Sequence, residues 1–190
     1  MKRRVVRQCA WVASGVLVAS AIRLVNATPA VGQGVSLVSF EIKDQFDRVH
    51  RDTDYADRIL IVFGSDRTGS EFHDDWESAV RDSVDTEGGA GSVSYLSVAD
   101  LRGVPFFVKG SVKGKFPKDE DQWVLLDWKG HFAKSYGFKK DATNVVVFAA
   151  DGTLVGHTYG RELDFDSVSA VLTTVRYAGS SRTSALPSGS

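Results

Sequence analysis

Arg58-Ile59-Leu60-Ile61-Val62-Phe63-Gly64-Ser65-Asp66-Arg67-Thr68-Gly69-Ser70-Glu71 is the stretch on which the fold turns. Its first part is a continuous apolar run, short enough for a strand buried on both faces, as a parallel sheet requires. The run stops at a polar loop, residues 65–70, and a helical pattern over 71–84 follows at once. Phe72, Trp76, Ala79, Val80 and Val84 recur at helical spacing and make one apolar face, while Asp74, Asp75, Glu77 and Arg81 take the other side. Strand, loop and helix N-terminus in direct succession is the unit at which many α/β proteins place their chemistry.

Working outward, residues 36–42 alternate, with Val38, Phe40 and Ile42 on one side, and predict a strand. Residues 44–55 are polar and turn-like. Downstream, Gly88, Gly89 and Gly91 close the helix, and 92–98 predicts the next strand. Residues 104–116 predict a short helix after Pro105, with Phe106, Phe107 and Val112 inward. Strands are expected over 122–127 and 143–149, with a short helix over 130–138 between them. Asp151-Gly152 is a hairpin-turn signal that leads into a strand over 153–159. Asp164 can cap a last helix whose face is Phe165, Val168, Val171, Leu172 and Val175. Helices alternating with strands, closed by a hairpin and a helix, predict an α/β sandwich with a mixed central sheet.

The N-terminus has a different character. Lys2, Arg3, Arg4 and Arg7 precede an apolar stretch over 9–22, and Val25-Asn26-Ala27 offers a small-residue cleavage site. That order is the order of a secretory signal peptide, so 1–27 is expected to be a leader cleaved after Ala27. An uncleaved anchor is the alternative, and it is the only membrane contact expected. The apolar run is shorter than the roughly 20 residues that span a bilayer. Residues 28–35 read as a linker, 36–178 as one domain and 179–190 as a disordered Ser-rich tail. These assignments place the mature protein in the periplasm or outside the cell.

Cleavage has two chemical consequences. The chain's single cysteine is Cys9, inside the leader, so the mature protein would have no thiol nucleophile, no disulfide and no Cys-ligated metal. Loss of the leader also removes five basic residues and no acid, which leaves a net charge of about −6. Nucleic-acid binding needs a concentrated cationic surface, and this composition argues against it.

With these residues in place, the chain resembles the thioredoxin-like fold in its redoxin or peroxiredoxin branch, a three-layer α/β/α sandwich. Phe40-Glu41-Ile42-Lys43-Asp44-Gln45-Phe46 looks like the opening strand and turn of redoxins. Residues 59–71 look like the strand, active loop and helix start. The most specific part runs from Val124-Leu125-Leu126-Asp127 through Gly130, Ala133 and Tyr136-Gly137 to Val145-Val146-Val147-Phe148 and Asp151-Gly152. More closely, the chain resembles the small periplasmic YtfJ-type proteins, through Arg67-Thr68, Val108-Lys109 and Gln122-Trp123-Val124. The resemblance places the two cysteines of a thioredoxin on Thr68 and Glu71, and its cis-proline on Thr143 or Asn144. A threonine hydroxyl stays un-ionised near neutral pH and cannot replace a lowered-pKa thiolate.

Thr68-Gly69-Ser70-Glu71 fits a capping box, with Thr68 accepting from the Glu71 N–H and Glu71 reaching back. The functional alternative is an anion site on the free N–H groups of the helix start, with Arg67 beside them. The candidate binding residues are therefore Ser65, Asp66, Arg67, Thr68, Gly69, Ser70 and Glu71, with Thr143 and Asn144. No catalytic residue, metal site or cofactor is expected. His73 and Glu77 have a spacing that could begin a metal site, but without a third ligand they read as a solvated helix face. Lys109, Lys113, Lys115 and Lys118 form a local basic stretch that could meet an acidic partner or membrane headgroups, and a solvated face explains it more simply. The expected function is non-catalytic binding of an envelope protein or a small anion. The alternative is a redoxin-related oxidoreductase or peroxidase acting by a non-cysteine route.

Overall fold

A computed structural model describes residues 35–87 and 91–183. The leader expected over 1–27 and nearly all of the linker lie outside the described residues, as does 184–190.

Two short strands, β1 (Glu41–Lys43) and β2 (Val49–Arg51), pair antiparallel as a hairpin. Only the end of the strand expected over 36–42 is extended and paired in this way. The expected alternation still holds, since Phe40 and Ile42 are buried while Glu41 and Lys43 are exposed. The turn between β1 and β2 is built on Asp44, whose carboxylate accepts from the N–H groups of Phe46 and Arg48, from the Arg48 guanidinium and from His50.

The core is a five-stranded sheet of β3 (Ile59–Ser65), β4 (Val93–Asp100), β5 (Leu125–Asp127), β6 (Thr143–Phe148) and β7 (Leu154–Gly160). Its order is β5-β4-β3-β6-β7. β3, β4 and β5 run parallel, and β6 and β7 are antiparallel to their neighbours, so the sheet is mixed. Every residue of β3 is buried, because layers cover both faces of the sheet.

Those layers follow from the period-2 pattern. Ile59, Ile61, Phe63, Val145 and Val147 point to one face and meet α1 (His73–Thr86) through Trp76, Val80 and Val84. Leu60, Val62, Leu96, Val146 and Phe148 point to the other and meet Phe132, Ala133 and Tyr136 of a short helix after β5. Between β4 and β5 lies α2 (Lys109–Lys113), and the helix after β5 is α3 (His131–Tyr136). The last helix, α4 (Phe165–Thr183), packs beside α1 on the first face. Each fully buried Val, Ile or Phe contributes about 1.5–3 kcal/mol, so the two faces carry most of the stability.

Three local expectations are corrected. Phe107 is 75% exposed and Phe165 85%, so neither faces inward. Phe107 sits in the 3-10 turn that precedes α2, and Phe165 is the first residue of α4, ahead of the point where that helix meets the sheet. Finally, α4 runs on through Gly179-Ser180 to Thr183, where composition predicted a tail from 179. Ala178, 1% exposed, packs on the core at that point and carries the helix past the Ser-rich boundary.

Candidate functional site

One row of residues crosses the sheet at the end where β3 stops. Ser65 pairs with Thr143, and Thr143 pairs with Gly160. The loop 66–72, the turn 139–142 and the segment after β7 therefore emerge side by side. This end collects all nine candidate residues; Thr143 bonds to the loop at Gly69, and Asn144 bonds to Gly64, at the end of β3, and to the 139–142 turn.

The expected capping box is not present. Thr68 is in helical backbone geometry with no side-chain cap bond, and only its carbonyl is used, by the Glu71 N–H at 3.2 Å. Asp66 performs the cap instead. Its Oδ1 accepts from the Gly69 N–H at 2.9 Å and its Oδ2 from the Asp141 N–H at 3.0 Å. One carboxylate so ties the loop to the 139–142 turn. The Ser70 hydroxyl donates to the Arg67 carbonyl, and the Thr143 hydroxyl to the Gly69 carbonyl. Gly69 is required here, because a Cβ would lie 2.2 Å from the Ala142 carbonyl oxygen. The loop is thus held against backbone on its inner side, and Arg67 is exposed outside it.

Asn144 is, with Thr143, one of the two positions that the resemblance gives to a cis-proline. No cis peptide occurs among the described residues. The Asn144 amide donates to the carbonyls of Gly64, Lys139 and Ala142, and its oxygen accepts from the Lys139 N–H at 2.7 Å and from His157 Nε2 at 3.0 Å. Because the Asn144 oxygen is the acceptor, the His157 proton sits on Nε2. Burial and the neighbouring Lys139 ammonium push His157 below its ordinary pKa, so it is neutral at pH 7.

Behind the loop lies a polar network that the sequence reading missed. His73 is buried, not on a solvated face, and so is Ser65. Ser65 Oγ meets His73 Nδ1 at 3.1 Å, and His73 Nε2 meets Glu77 Oε2 at 3.1 Å. The Ser97 hydroxyl donates to the same Glu77 oxygen at 2.7 Å, and Arg81 Nε to the other at 2.7 Å. Burial alone would raise the Glu77 carboxyl. The hydrogen bonds from His73 and Ser97, with the charges of Arg81 and His73, outweigh it and bring the pKa down to about 2. A carboxylate can only accept, so Nε2 carries a proton toward Glu77, and Nδ1 is the ring atom at hydrogen-bond distance from the Ser65 hydroxyl. Ser65 is 5% exposed and its hydroxyl is hydrogen-bonded to His73, so this chain of bonds lies inside the protein and fixes the junction of β3 with α1. No cluster of metal-ligating side chains occurs among the described residues. The available signal was His73, Trp76, Val80 and Val84, a helical stripe that includes the histidine.

On the outer side of the 139–142 turn is a cleft of about 460 Å³ lined by Lys139, Lys140, Asp141, Tyr159 and Arg161. Two of its cations, Arg161 and Lys139, are held in place. Trp76 packs against Gly160 and donates its indole N–H to the Arg161 carbonyl at 3.0 Å, and Arg161 Nε donates to the Asp141 carbonyl at 2.8 Å. The Lys139 ammonium stands 5.4 Å from the centre of the Tyr159 ring. None of Lys139, Lys140 or Arg161 has an ion-pair partner among the described residues, and neither has Arg67. Sequence spacing did not reveal this group, because 139–140 and 161 come together only through the pairing of β6 with β7.

Comparison with known proteins shows the fold. Neither a protein-family model nor a curated protein sequence matches the chain. Solved structures do. The pneumococcal exposed lipoprotein thioredoxin Etrx1 of Streptococcus pneumoniae is 17% identical with a TM-score of 0.51, over 72% of this chain and 98% of that one. A SCO1/SenC family lipoprotein of Bacillus anthracis is 9% identical with a TM-score of 0.53, over 80% and 98%. BsSco, of the Sco family of cytochrome c oxidase assembly proteins, is 12% identical with a TM-score of 0.54, over 80% and 96%. The chain has a thioredoxin-like α/β fold with a mixed central sheet flanked by helices.

Proposed function

We propose that this protein is a thioredoxin-fold binding module without thiol redox chemistry, and that it receives an acidic group at the cleft formed by Lys139, Lys140 and Arg161 beside the 66–71 loop. The observation that carries the reading is a cleft with three unpaired cations, two of them positioned, and one exposed carboxylate side chain, Asp141, in its lining. Arg161 brings a guanidinium that can fork onto a carboxylate or phosphate, and the lysines add point charges. Arg67 is the exposed cation of the neighbouring loop and extends the same surface. The ligand class is a small anion or an acidic side chain of an envelope partner. The loop offers Thr68 and Glu71 where a thioredoxin carries sulfur, and neither supplies a thiolate.

The envelope location rests on the leader-like character of 1–27 and accords with the description of two structural relatives as lipoproteins. The likeness to YtfJ-type proteins belongs to this proposal as well. Calorimetric titration with citrate and with inorganic phosphate tests it. Binding should weaken about tenfold in Lys140→Gln/Arg161→Gln and several-fold in Arg67→Ala. Absence of binding by the unmodified protein at low ionic strength would end the anion reading.

A further inference from the structure

We propose that a second cleft, between β1, α2 and the turn from β5 to α3, binds an organic phosphate. The cleft measures about 480 Å³ and lies among Lys43, Lys109, Lys113, Trp128 and Lys129. Its charge is not what a count of its lining suggests, because three of its four acids are already paired with cations. Glu41 pairs with Arg51 at 3.0 Å, Asp44 with Arg48 at 2.7 Å, and Asp47 with Lys113 at 2.6 Å. The fourth, Asp127, is 1% exposed; one of its oxygens accepts from the Phe132 N–H at 3.0 Å and the other has no hydrogen-bond partner among the described residues, so its charge offsets part of the lysine charge. Lys43, Lys109 and Lys129 have no ion-pair partner among the described residues, so the lining carries three unpaired ammonium groups against the one unpaired carboxylate of Asp127.

The chemistry of those groups selects the ligand. A single carboxylate would leave part of this charge unneutralised, whereas a phosphate ester brings more negative charge and several acceptor oxygens to the same point. The Lys109 ammonium is placed 4.8 Å from the centre of the Trp128 ring, so one cation is already positioned at the wall. Ile42, Leu126 and Trp128 supply apolar surface for the organic part of the ester. Phe107, two residues before Lys109, is 75% exposed, which suits a phosphate carried by a lipid as well as a free one.

Nuclear magnetic resonance tests the site directly, with glycerol 3-phosphate as the soluble probe and phosphatidylglycerol vesicles, against phosphatidylcholine vesicles, as the lipid probe. Glycerol 3-phosphate should shift the amides of Lys43, Lys109 and Lys129 and the Trp128 indole N–H, and Lys43→Gln/Lys129→Gln should weaken this about tenfold. Binding to phosphatidylglycerol vesicles that is lost in Phe107→Ser, with the glycerol 3-phosphate shifts retained, would support the site and identify the source as lipid. Shifts with glycerol 3-phosphate and no vesicle binding would support it with a free phosphate as ligand. The proposal is overturned if neither probe perturbs these residues, or if the double variant leaves the perturbation unchanged. Because the readout is residue by residue, shifts confined to 139–142 and 159–161 would overturn this site while leaving the first cleft standing.

Discussion

At the scale of single residues, Glu77 keeps its charge in a half-closed environment because His73, Ser97 and Arg81 supply donors and positive charge. Its carboxyl is brought from 4.5 to about 2, a depressed folded-state pKa. The stability it contributes is therefore present above its unfolded value and is lost as pH falls toward 2. Glu77→Gln should cost about 2–3 kcal/mol at pH 7, and the difference from the unmodified protein should shrink below pH 4.5. Urea unfolding at a series of pH values reads this, and a difference independent of pH would contradict it. The loop offers a second comparison. Asp66→Ala should cost about 1–2 kcal/mol, because it removes the cap on Gly69 and the tie to Asp141, while Thr68→Ala should be close to neutral. The sequence suggested the reverse, because Thr-x-x-Glu is a capping-box pattern and Asp66 lies two residues ahead of it. Which of two nearby oxygens turns toward the helix start depends on the backbone of 66–68, and pattern alone does not contain that. His73 was misplaced for a related reason. The 3-10 turn over Gly69–Glu71 delays the helix to His73, and the buried stripe then begins at the histidine.

At the scale of elements, Asn144 joins β6 to β3, to the 139–142 turn and to His157 of β7. Asn144→Ala should destabilise the protein by about 2–4 kcal/mol, since it leaves several buried backbone groups without partners. It should also loosen the turn that carries Lys139 and Lys140. Thermal unfolding measures the first effect, and faster amide exchange at Lys139 the second. Gly69→Ala should cost at least as much as Gly64→Ala. The added Cβ meets Ala142 backbone at Gly69 but the Phe138 ring at Gly64, and a ring can move more readily than a strand-end carbonyl. Most element positions were legible. The Ile59–Phe63 run, the Asp127-to-Gly130 turn and the Asp151-Gly152 hairpin signal each placed a strand or helix boundary within a few residues. Over 104–116 the short helix after Pro105 was legible but its inward face was not, because Gly110 and Gly114 blur the period and Phe107 faces outward. Apolar identity there does not report burial.

At the scale of the molecule, the buried pattern on both faces of β3 and β6 fixes a thioredoxin-like sheet, while the loop and strand positions at the end where β3 stops carry hydroxyl, carboxylate and amide groups. The fold was legible because it follows from apolar periodicity. The cationic cleft was not, because Lys139, Lys140 and Arg161 are brought together by strand pairing across the hairpin of β6 and β7. The central claim is that this end of the sheet binds an acidic group. The most direct measurement is an amide-resolved titration with citrate at low ionic strength, comparing the unmodified protein with Lys140→Gln/Arg161→Gln. The account predicts saturable shifts at 139–142, 159–161 and the 66–71 loop, weakened about tenfold in the double variant. Shifts absent from these segments, or equally strong in the double variant, would contradict it.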